Sequence, residues 1–236
     1  MRSFLISSAC AASLMLALTP AASAADVEYA PEAAGPSWYV SVFGGWSLPN
    51  DIDVDFAGLY STNYSASIDL EDGFMAGLAV GGRFNDWLRA DVELSGHWHD
   101  VAGEEVFTSG PATSTTLALE GDVNALFVLA NLWIDVPVGE VVRPYIGGGV
   151  GLGRLAADIS TTVGDSIIDD ADWGFAYQLG AGLAFDVTPN LAVDVGYRFK
   201  AINAELKIDD DYFAPSTDTD ADYRSHNVLL GLRVEF

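Results

Sequence analysis

The chain is poor in cysteine and in basic residues, and beyond its first 24 residues it has no long hydrophobic run. Ten Lys and Arg residues stand against 34 Asp and Glu, which gives a net charge of −24. Such a chain is unsuited to nucleic acid, because that binding requires cations that neutralise phosphates. No later segment approaches the roughly 18 consecutive apolar residues of a membrane-spanning helix. Half of the residues are nonetheless hydrophobic, so these side chains must be arranged in another way.

The beginning of the chain has the organisation of a secretory signal peptide. Arg2 supplies a positive charge, Phe4 to Leu18 is mostly apolar, and the small residues Ala22-Ser23-Ala24 precede the predicted cleavage site. Cys10, the only cysteine, lies within this segment and lacks the sequence surroundings of a lipoprotein cysteine. The sequence therefore predicts an exported protein from which residues 1–24 are removed.

After that cleavage the chain has no cysteine for the disulfides that often stabilise small secreted domains. Export, the lack of a spanning helix and the high apolar content together indicate a protein of the bacterial outer membrane. Residues 25–36 are rich in Ala, Pro and Glu, and we expect them to form a flexible periplasmic extension. Residues 37–236 are then expected to form an outer-membrane β-barrel.

The last segment of the chain shows the pattern on which this expectation depends. One face of residues 227–236 is wholly apolar, and the face between those positions carries Arg233 and Glu235. A period of two predicts a β-strand, and an apolar face toward lipid with a polar face toward a lumen is typical of a transmembrane barrel. The apolar positions are Val228, Leu230, Leu232, Val234 and Phe236.

Seven further segments alternate in the same way, and the connections between segments are alternately long and short. Segments of about ten residues suit a tilted crossing of the membrane, and alternating loop lengths are typical of outer-membrane barrels. The pattern predicts an all-β fold: an eight-stranded antiparallel up-and-down transmembrane β-barrel with both termini in the periplasm. The predicted strands are 38–47, 74–84, 88–98, 117–134, 144–155, 175–186, 191–200 and 223–236.

Two features of these strands add to the prediction. The fourth strand is largely apolar on both faces between Ala125 and Trp133, so its register is not defined by the pattern. Aromatic residues cluster at the strand ends, as in the belts at membrane interfaces. The predicted outer belt is Trp46, Trp98, Trp173, Phe175, Phe199 and Tyr223, and the predicted inner belt is Trp38, Phe84, Trp87, Trp133, Tyr145, Phe185 and Phe236.

Charged residues on the inward face are balanced, with five of each sign. Buried charges must be paired and hydrogen-bonded, and side chains can fill the interior of an eight-stranded barrel. We therefore expect a structural core of ion pairs, completed by Gln178, Tyr145 and Phe43, with inward glycines leaving space for the arginines. A continuous water channel is the alternative. The predicted core is Arg83, Arg89, Asp91, Glu93, Asp186, Asp194, Arg198, Lys200, Arg233 and Glu235.

The acidic excess lies in the four long connections, which hold 21 Asp and Glu and a single base, Lys207. One interpretation is a solvated surface that keeps the loops soluble. The other is that divalent cations bridge the carboxylates to lipopolysaccharide phosphates or to a partner. Two Asp-x-Asp-x-Asp runs resemble calcium loops but lack the turn Gly and terminal Glu. The connections are 48–72, 99–116, 156–172 and 201–222.

The histidines do not predict an active site or a metal site. His97 and His99 form a His-x-His pair, which can hold zinc or copper, but no second pair is indicated by spacing, so we expect polar lining. His226 follows Ser225, and adjacent residues on a strand point to opposite faces. The sequence thus predicts no catalytic residue, no cofactor-binding residue and no metal ligand.

Several segments carry a resemblance to known proteins. They are Asn131-Leu132-Trp133, the Pro144–Gly151 run, Tyr177–Gly182, Gly196–Phe199 and the final Gly231–Phe236. On these residues the chain resembles the eight-stranded outer-membrane barrels of the OmpA/OmpX type, and more closely the porin-like surface-antigen proteins of alphaproteobacteria. The resemblance spans residues 37–236. It implies that the apolar face of the final strand, ending at Phe236, is the signal read by the barrel-assembly machinery.

The predicted function is that of a non-enzymatic outer-membrane barrel in a Gram-negative bacterium. It would contribute to envelope integrity and present acidic loops outside. If the loops act by binding, the role would be adhesion or that of a surface antigen. The alternative is a small loop-gated porin for small solutes or ions, and a lipid-modifying enzyme is the least favoured class. Expected partners are membrane lipid, lipopolysaccharide, the barrel-assembly machinery and an extracellular ligand at the loops, with no nucleic acid and no cofactor.

Overall fold

The computed structural model describes most of the predicted barrel. The predicted signal peptide, 1–24, and the predicted extension, 25–36, lie outside the described residues. Within the described part every regular element is a β-strand. No helix among these residues is long and apolar enough to cross a membrane. The described residues are 37–57, 63–101, 104–109, 113–136, 138–139, 141–161, 166–210 and 214–236.

Eleven strands are present in the described part, eight long and three short. In chain order they are β1 (Ser37–Pro49), β2 (Ile52–Ala57), β3 (Asn63–Ile68), β4 (Gly73–Asn85), β5 (Leu88–Asp100), β6 (Glu104–Ser109), β7 (Thr113–Asp135), β8 (Val142–Thr161), β9 (Ser166–Thr188), β10 (Leu191–Asp210) and β11 (Ala214–Glu235). The three short strands, β2, β3 and β6, form a small sheet that continues from the outer part of β7.

The eight long strands form a closed antiparallel barrel. Each pairs with the next long strand along the chain, in the order β1, β4, β5, β7, β8, β9, β10 and β11. The last strand returns to the first, with Tyr39 opposite Glu235 and Val42 opposite Leu232. Closure satisfies every strand edge, which a structure in lipid requires. The predicted eight-stranded up-and-down barrel is therefore confirmed.

Over the part that crosses the membrane, the eight long strands turn alternate apolar residues outward, where the barrel meets lipid. On β1 the exposed fraction is 63% for Trp38, 46% for Val42 and 73% for Trp46. Aromatic rings thus lie at both ends of an aliphatic band, as expected for interfaces. The five residues predicted as the assembly signal are all exposed on this face, and their role as that signal stays a prediction. They are Val228, Leu230, Leu232, Val234 and Phe236.

Three aromatic residues assigned to the belts point into the barrel instead. Trp133, Tyr145 and Tyr223 are at most 5% exposed. Each has a polar group that needs a hydrogen-bond partner when buried. Trp133 and Tyr223 find such partners inside the lumen, where Trp133 Nε1 donates to Asp91 and Tyr223 Oη contacts His99. The belt prediction was therefore wrong for these three residues, whereas the prediction that Tyr145 fills the lumen is confirmed.

Strand length is the other correction. Segments 156–172 and 201–222, predicted as long connections, are mostly paired strand in β8–β9 and β10–β11. A strand of 20 residues, as in β8, spans about 66 Å at 3.3 Å per residue, well beyond the roughly 10 residues that cross a membrane. Two hairpins therefore project beyond the membrane on the side opposite the short turns.

The apolar positions change face where the strands leave the membrane. On β8 the outward Ile146 and Val150 are more than half exposed, whereas Leu155 and Ile159 farther along are buried inside. Outside the hydrocarbon layer the outer face meets water, so the apolar side chains must turn inward. These inward residues form the outer core: Val101, Leu119, Val123, Ala125, Phe127, Leu129, Leu155, Ala157, Ile159, Ile168, Ala176, Ile202, Ala204 and Tyr223.

Candidate functional site in the barrel lumen

The periplasmic half of the lumen is closed by charged side chains on neighbouring strands. Arg83 donates from Nη1 to Asp135 Oδ2 at 2.8 Å and from Nη2 to Glu235 Oε1 at 2.8 Å. Arg89 Nε donates to Asp135 Oδ1 at 2.9 Å. Arg83, Arg89 and Asp135 are almost fully buried, and charge-assisted bonds of this length are among the strong ones. The inner ionic layer consists of Arg83, Arg89, Asp135, Arg143, Asp186, Asp194, Arg233 and Glu235.

Arg233 belongs to this layer but is held by longer contacts. Its Nη2 lies 3.4 Å from Asp194 Oδ1, and its Nε lies 3.4 Å from Glu235 Oε1. The guanidinium carbon is also 5.8 Å from the centroid of the Tyr39 ring, within the range of a cation–π contact. Arg233 is therefore neutralised by its surroundings rather than by one close ion pair.

Glu93 is the centre of a second layer, deeper in the barrel. Its carboxylate accepts hydrogen bonds from Lys200 Nζ and Arg198 Nη1. It also accepts from Gln178 Nε2 at 2.9 Å and from Ser95 Oγ at 3.0 Å. A fully buried carboxylate with two cations and several neutral donors has the partners that burial demands. This layer closes the middle of the lumen.

Asp91 was predicted to be part of the ion-pair core, but the structure gives it neutral partners. It accepts hydrogen bonds from Tyr39 Oη at 2.6 Å, from Asn131 Nδ2 at 2.7 Å and from Trp133 Nε1 at 3.0 Å. Within the described residues it makes no ion pair. Three donors satisfy a carboxylate without an adjacent cation, so Asp91 links the two layers by hydrogen bonds.

Two charged residues of the inner ionic layer were missed by sequence reasoning. Asp135 pairs with both Arg83 and Arg89. Arg143 Nη2 lies 2.5 Å from Asp186 Oδ1. Asp135 directly follows the predicted end of strand four, and Arg143 was assigned to the turn before strand five, so neither was assigned a face. Asp135 lies four positions after Asn131 and therefore on the same face of the strand, which was the signal that could have pointed to it.

The inward glycines make room mainly for aromatic rings and amides. A Cβ at Gly147 would lie 2.6 Å from the Trp133 ring, and one at Gly149 would lie 1.9 Å from Asn131 Oδ1. Only Gly180 leaves space beside an arginine, at 3.1 Å from Arg198 Cγ. The expectation that these glycines accommodate arginines was wrong in its main part, because aromatic rings need more width than an extended guanidinium stem.

Little free space remains between the layers. A cavity lined by Arg89, Asp91, Asp194 and Arg198 has room for about one water molecule. Beyond the second layer, the outer core narrows the lumen further. A Cβ at Gly153 would lie 2.5 Å from Ile202 Cγ1, so the Ile202 side chain packs directly on the β8 backbone. The lumen is thus packed with charged side chains toward its periplasmic end and with apolar side chains toward its outer end.

The fold and this interior together define a class of protein. A closed antiparallel barrel with an apolar outer band, aromatic belts and a hydrogen-bonded interior is a transmembrane β-barrel. A family model described as "Outer membrane protein beta-barrel domain" matches residues 8–236. The chain belongs to this family, and its place is the outer membrane of a Gram-negative bacterium, as the sequence predicted.

Similar proteins agree with this assignment. The chain is 30% identical to an uncharacterized protein of Brucella suis over 217 residues, which cover 78% of this chain and 76% of that protein. It is 27% identical to the outer membrane protein PagN of Salmonella typhimurium over 244 residues, covering 96% and 97%. A putative adhesin of Rickettsia conorii is 22% identical over 210 residues, covering 84% and 82%.

Solved structures share the fold. Neisserial surface protein A superposes with a TM-score of 0.50 and 21% identity, covering 86% of this chain and 100% of that one. The outer membrane protein OprG of Pseudomonas aeruginosa gives a TM-score of 0.51 and 16% identity, covering 85% and 96%. At these identities the likeness concerns the barrel alone.

Proposed function

We propose that this protein is a non-conducting, non-enzymatic outer-membrane barrel that holds surface hairpins for contact with other cells or macromolecules. The observation that carries the proposal is the lumen, which is packed by ion pairs below and by the outer core above. A barrel so filled serves as a rigid support rather than as a pore. The projecting β8–β9 and β10–β11 hairpins are then the parts that meet the outside, and a Rickettsia relative named as a putative adhesin supports such a role.

The outward face of β5, β7, β8 and β9 carries a row of aspartates. Asp100, Asp122, Asp158 and Asp169 lie directly opposite one another on four neighbouring strands. All four side chains are exposed on the outward face. Like charges in opposed positions destabilise a sheet, and a divalent cation shared with lipopolysaccharide phosphates would offset this. The row supports the proposal that the protein also contributes to the cohesion of the outer leaflet.

A planar-bilayer recording tests the closed lumen. We expect the purified protein to insert without producing a stable conductance step above leak, because the cavity between the layers holds only about one water molecule. Faster migration of the unheated protein on a gel would verify that the barrel is folded. A reproducible, ion-selective step from folded protein would contradict the proposal and favour the small loop-gated porin.

Shortening one hairpin tests the surface role. Replacing residues 158–169 with Asn-Gly, the preferred two-residue hairpin turn, should leave the barrel folded and should abolish binding of protein-displaying vesicles to host cells. The double variant Asp158→Asn with Asp169→Asn keeps the hairpin and removes two charges. It therefore shows whether binding depends on the shape of the hairpin or on its charge. Undiminished binding by the shortened variant would contradict a role for this hairpin.

A further inference from the structure

Four buried side chains converge above the Glu93 layer, and none of them takes part in the ion pairs, although Tyr223 also packs in the outer core. Ser47 Oγ lies 3.1 Å from His97 Nδ1 and 3.2 Å from His99 Nε2. Tyr223 Oη lies 2.8 Å from His99 Nε2 and 3.3 Å from His97 Nδ1. All four residues are at most 2% exposed. They come from β1, β5 and β11, so rigid strands hold the four atoms together.

The hydrogens in this cluster do not suffice for its contacts. His99 Nδ1 lies 3.1 Å from the carbonyl oxygen of Glu71, so Nδ1 carries the proton and Nε2 is an acceptor. Tyr223 also makes side-chain hydrogen bonds with Ser47 and with the buried Ser225. These contacts and the four above can draw only on the hydroxyl hydrogens of Ser47, Tyr223 and Ser225 and on one N–H of His97. At least one contact therefore joins two lone pairs, and His97 Nε2 has no hydrogen-bond partner in either tautomer.

A cation at the centre would satisfy all four lone pairs at once. We propose that Ser47, His97, His99 and Tyr223 form a binding site for one divalent cation of the late first-row series, Zn²⁺ or Cu²⁺. Two imidazole nitrogens favour these ions over Mg²⁺ or Ca²⁺. Ligand atoms around a tetrahedral ion with bonds of about 2.0–2.1 Å are about 3.3 Å apart, and the four nitrogen–oxygen separations in the cluster are 2.8–3.3 Å.

No pattern in the sequence predicted the two hydroxyl ligands. His97 is 50 positions from Ser47 and 126 from Tyr223, so only barrel closure brings them together. Among the described residues, no group of three His, Cys, Asp or Glu side chains is placed to hold a metal. The proposed site therefore depends on a phenol and an alcohol as its third and fourth ligands.

The surroundings of the cluster suit a bound cation. The Glu71 carbonyl fixes the orientation of the His99 ring, as outer-shell partners of metal-bound histidines do. Binding would displace the Tyr223 hydroxyl proton to solvent and leave a phenolate on the ion. Lys200 lies nearby, with its Nζ 2.6 Å from Ser95 Oγ, and its ion-pair partner is Glu93, which it shares with Arg198.

A titration of the folded, full-length protein in detergent tests the site, after removal of metal with EDTA. We expect one Zn²⁺ or one Cu²⁺ per chain and, with Cu²⁺, a visible phenolate-to-copper band that is absent in Tyr223→Phe. His97→Gln and His99→Gln should weaken binding by about 100-fold or more, since loss of even an outer-shell partner costs roughly 10–100-fold. His226→Gln, which changes the third histidine of the chain, should bind as wild type does.

Gel mobility of the unheated protein shows whether each variant has folded. For a variant that does not fold, X-ray absorption of the metal-loaded wild type gives the answer without substitution. Scattering from two imidazoles would support the site. One imidazole or none, no ion bound by the wild type, or equal loss of binding in His226→Gln would overturn it, and the cluster would then be a hydrogen-bond network without metal.

Discussion

Replacing Glu93 with Gln should lower the free energy of unfolding by about 3–5 kcal/mol, the cost typical of removing one partner of a buried ion pair. Glu93 is fully buried and is the ion-pair partner of both Lys200 and Arg198. The amide would leave two cations in the lumen without an anion, whereas the shape of the side chain would hardly change. Urea unfolding from lipid vesicles, followed by the shift in gel mobility, measures the difference.

Two comparisons make this prediction specific. Lys200→Met should cost less in the Glu93→Gln background than in the wild type, with a coupling of about 0.5–3 kcal/mol. Asp222→Asn breaks the exposed Arg224–Asp222 pair, whose side chains are 52% and 47% exposed, and should cost no more than about 1 kcal/mol. Equal effects of Glu93→Gln and Asp222→Asn would mean that water reaches the Glu93 layer, as in an open channel.

The barrel itself was predictable because the membrane imposes one rule along each crossing. From Trp38 to Trp46, and again along the final strand, the apolar face meets lipid and the polar face meets the lumen. Closure, antiparallel order and the side of the short turns follow from that rule and from the loop lengths. These features required no knowledge of any individual contact.

The outer halves of the long strands were not predictable from the same rule, because the rule reverses beyond the membrane. On β8 the apolar side chains lie at even positions up to Leu152 and at odd positions from Leu155 onward. If the even positions are still taken as the outward ones, the alternation ends after Leu152, and the residues that follow are predicted as a loop. The strand continues, but its apolar side now packs in the outer core.

Strand β7 shows a second limit of the pattern. Its inward face carries Phe127 and Leu129 from the outer core, while its outward face carries Leu126 and Val128 toward lipid. When both faces are apolar, the pattern does not show which alternate positions face the lumen, so the inward position of Trp133 could not be assigned. The hydrogen bond from Trp133 to Asp91 spans 42 positions, and such pairings are decided by barrel register and not by local sequence.

The two kinds of packing in the lumen have a common physical cause. Inside the membrane, the lipid-facing residues are apolar and the inward residues are polar. The lumen there is lined by charges that can be buried only in pairs, as in the inner ionic layer. Beyond the membrane, the same interior is surrounded by water, so hydrocarbon is the material that closes it. Glu93 and the four-residue cluster of Ser47, His97, His99 and Tyr223 lie at the transition between these two kinds of packing.

Leu232→Arg should destabilise the folded barrel by about 2–4 kcal/mol, the cost of a basic side chain on the lipid face at the bilayer midplane. Leu232 pairs with Val42, which lies midway between the belt residues Trp38 and Trp46 on β1. The guanidinium would meet hydrocarbon with no charged partner on this face of the barrel. Unfolding by urea from vesicles, without any assembly factor, measures this cost.

Val228→Arg is the matched control, because it places the same charge on the same face of the same strand. Val228 pairs with Trp46 at the outer belt, where an arginine costs only about 0–1 kcal/mol. Equal stability of the two variants would show that the lipid-facing assignment of β11 is wrong. A further outcome is that both variants fold in vesicles as expected and yet both fail to reach the outer membrane in cells. That result would show that the barrel-assembly machinery recognises the final strand, separately from the cost of burying an arginine in lipid.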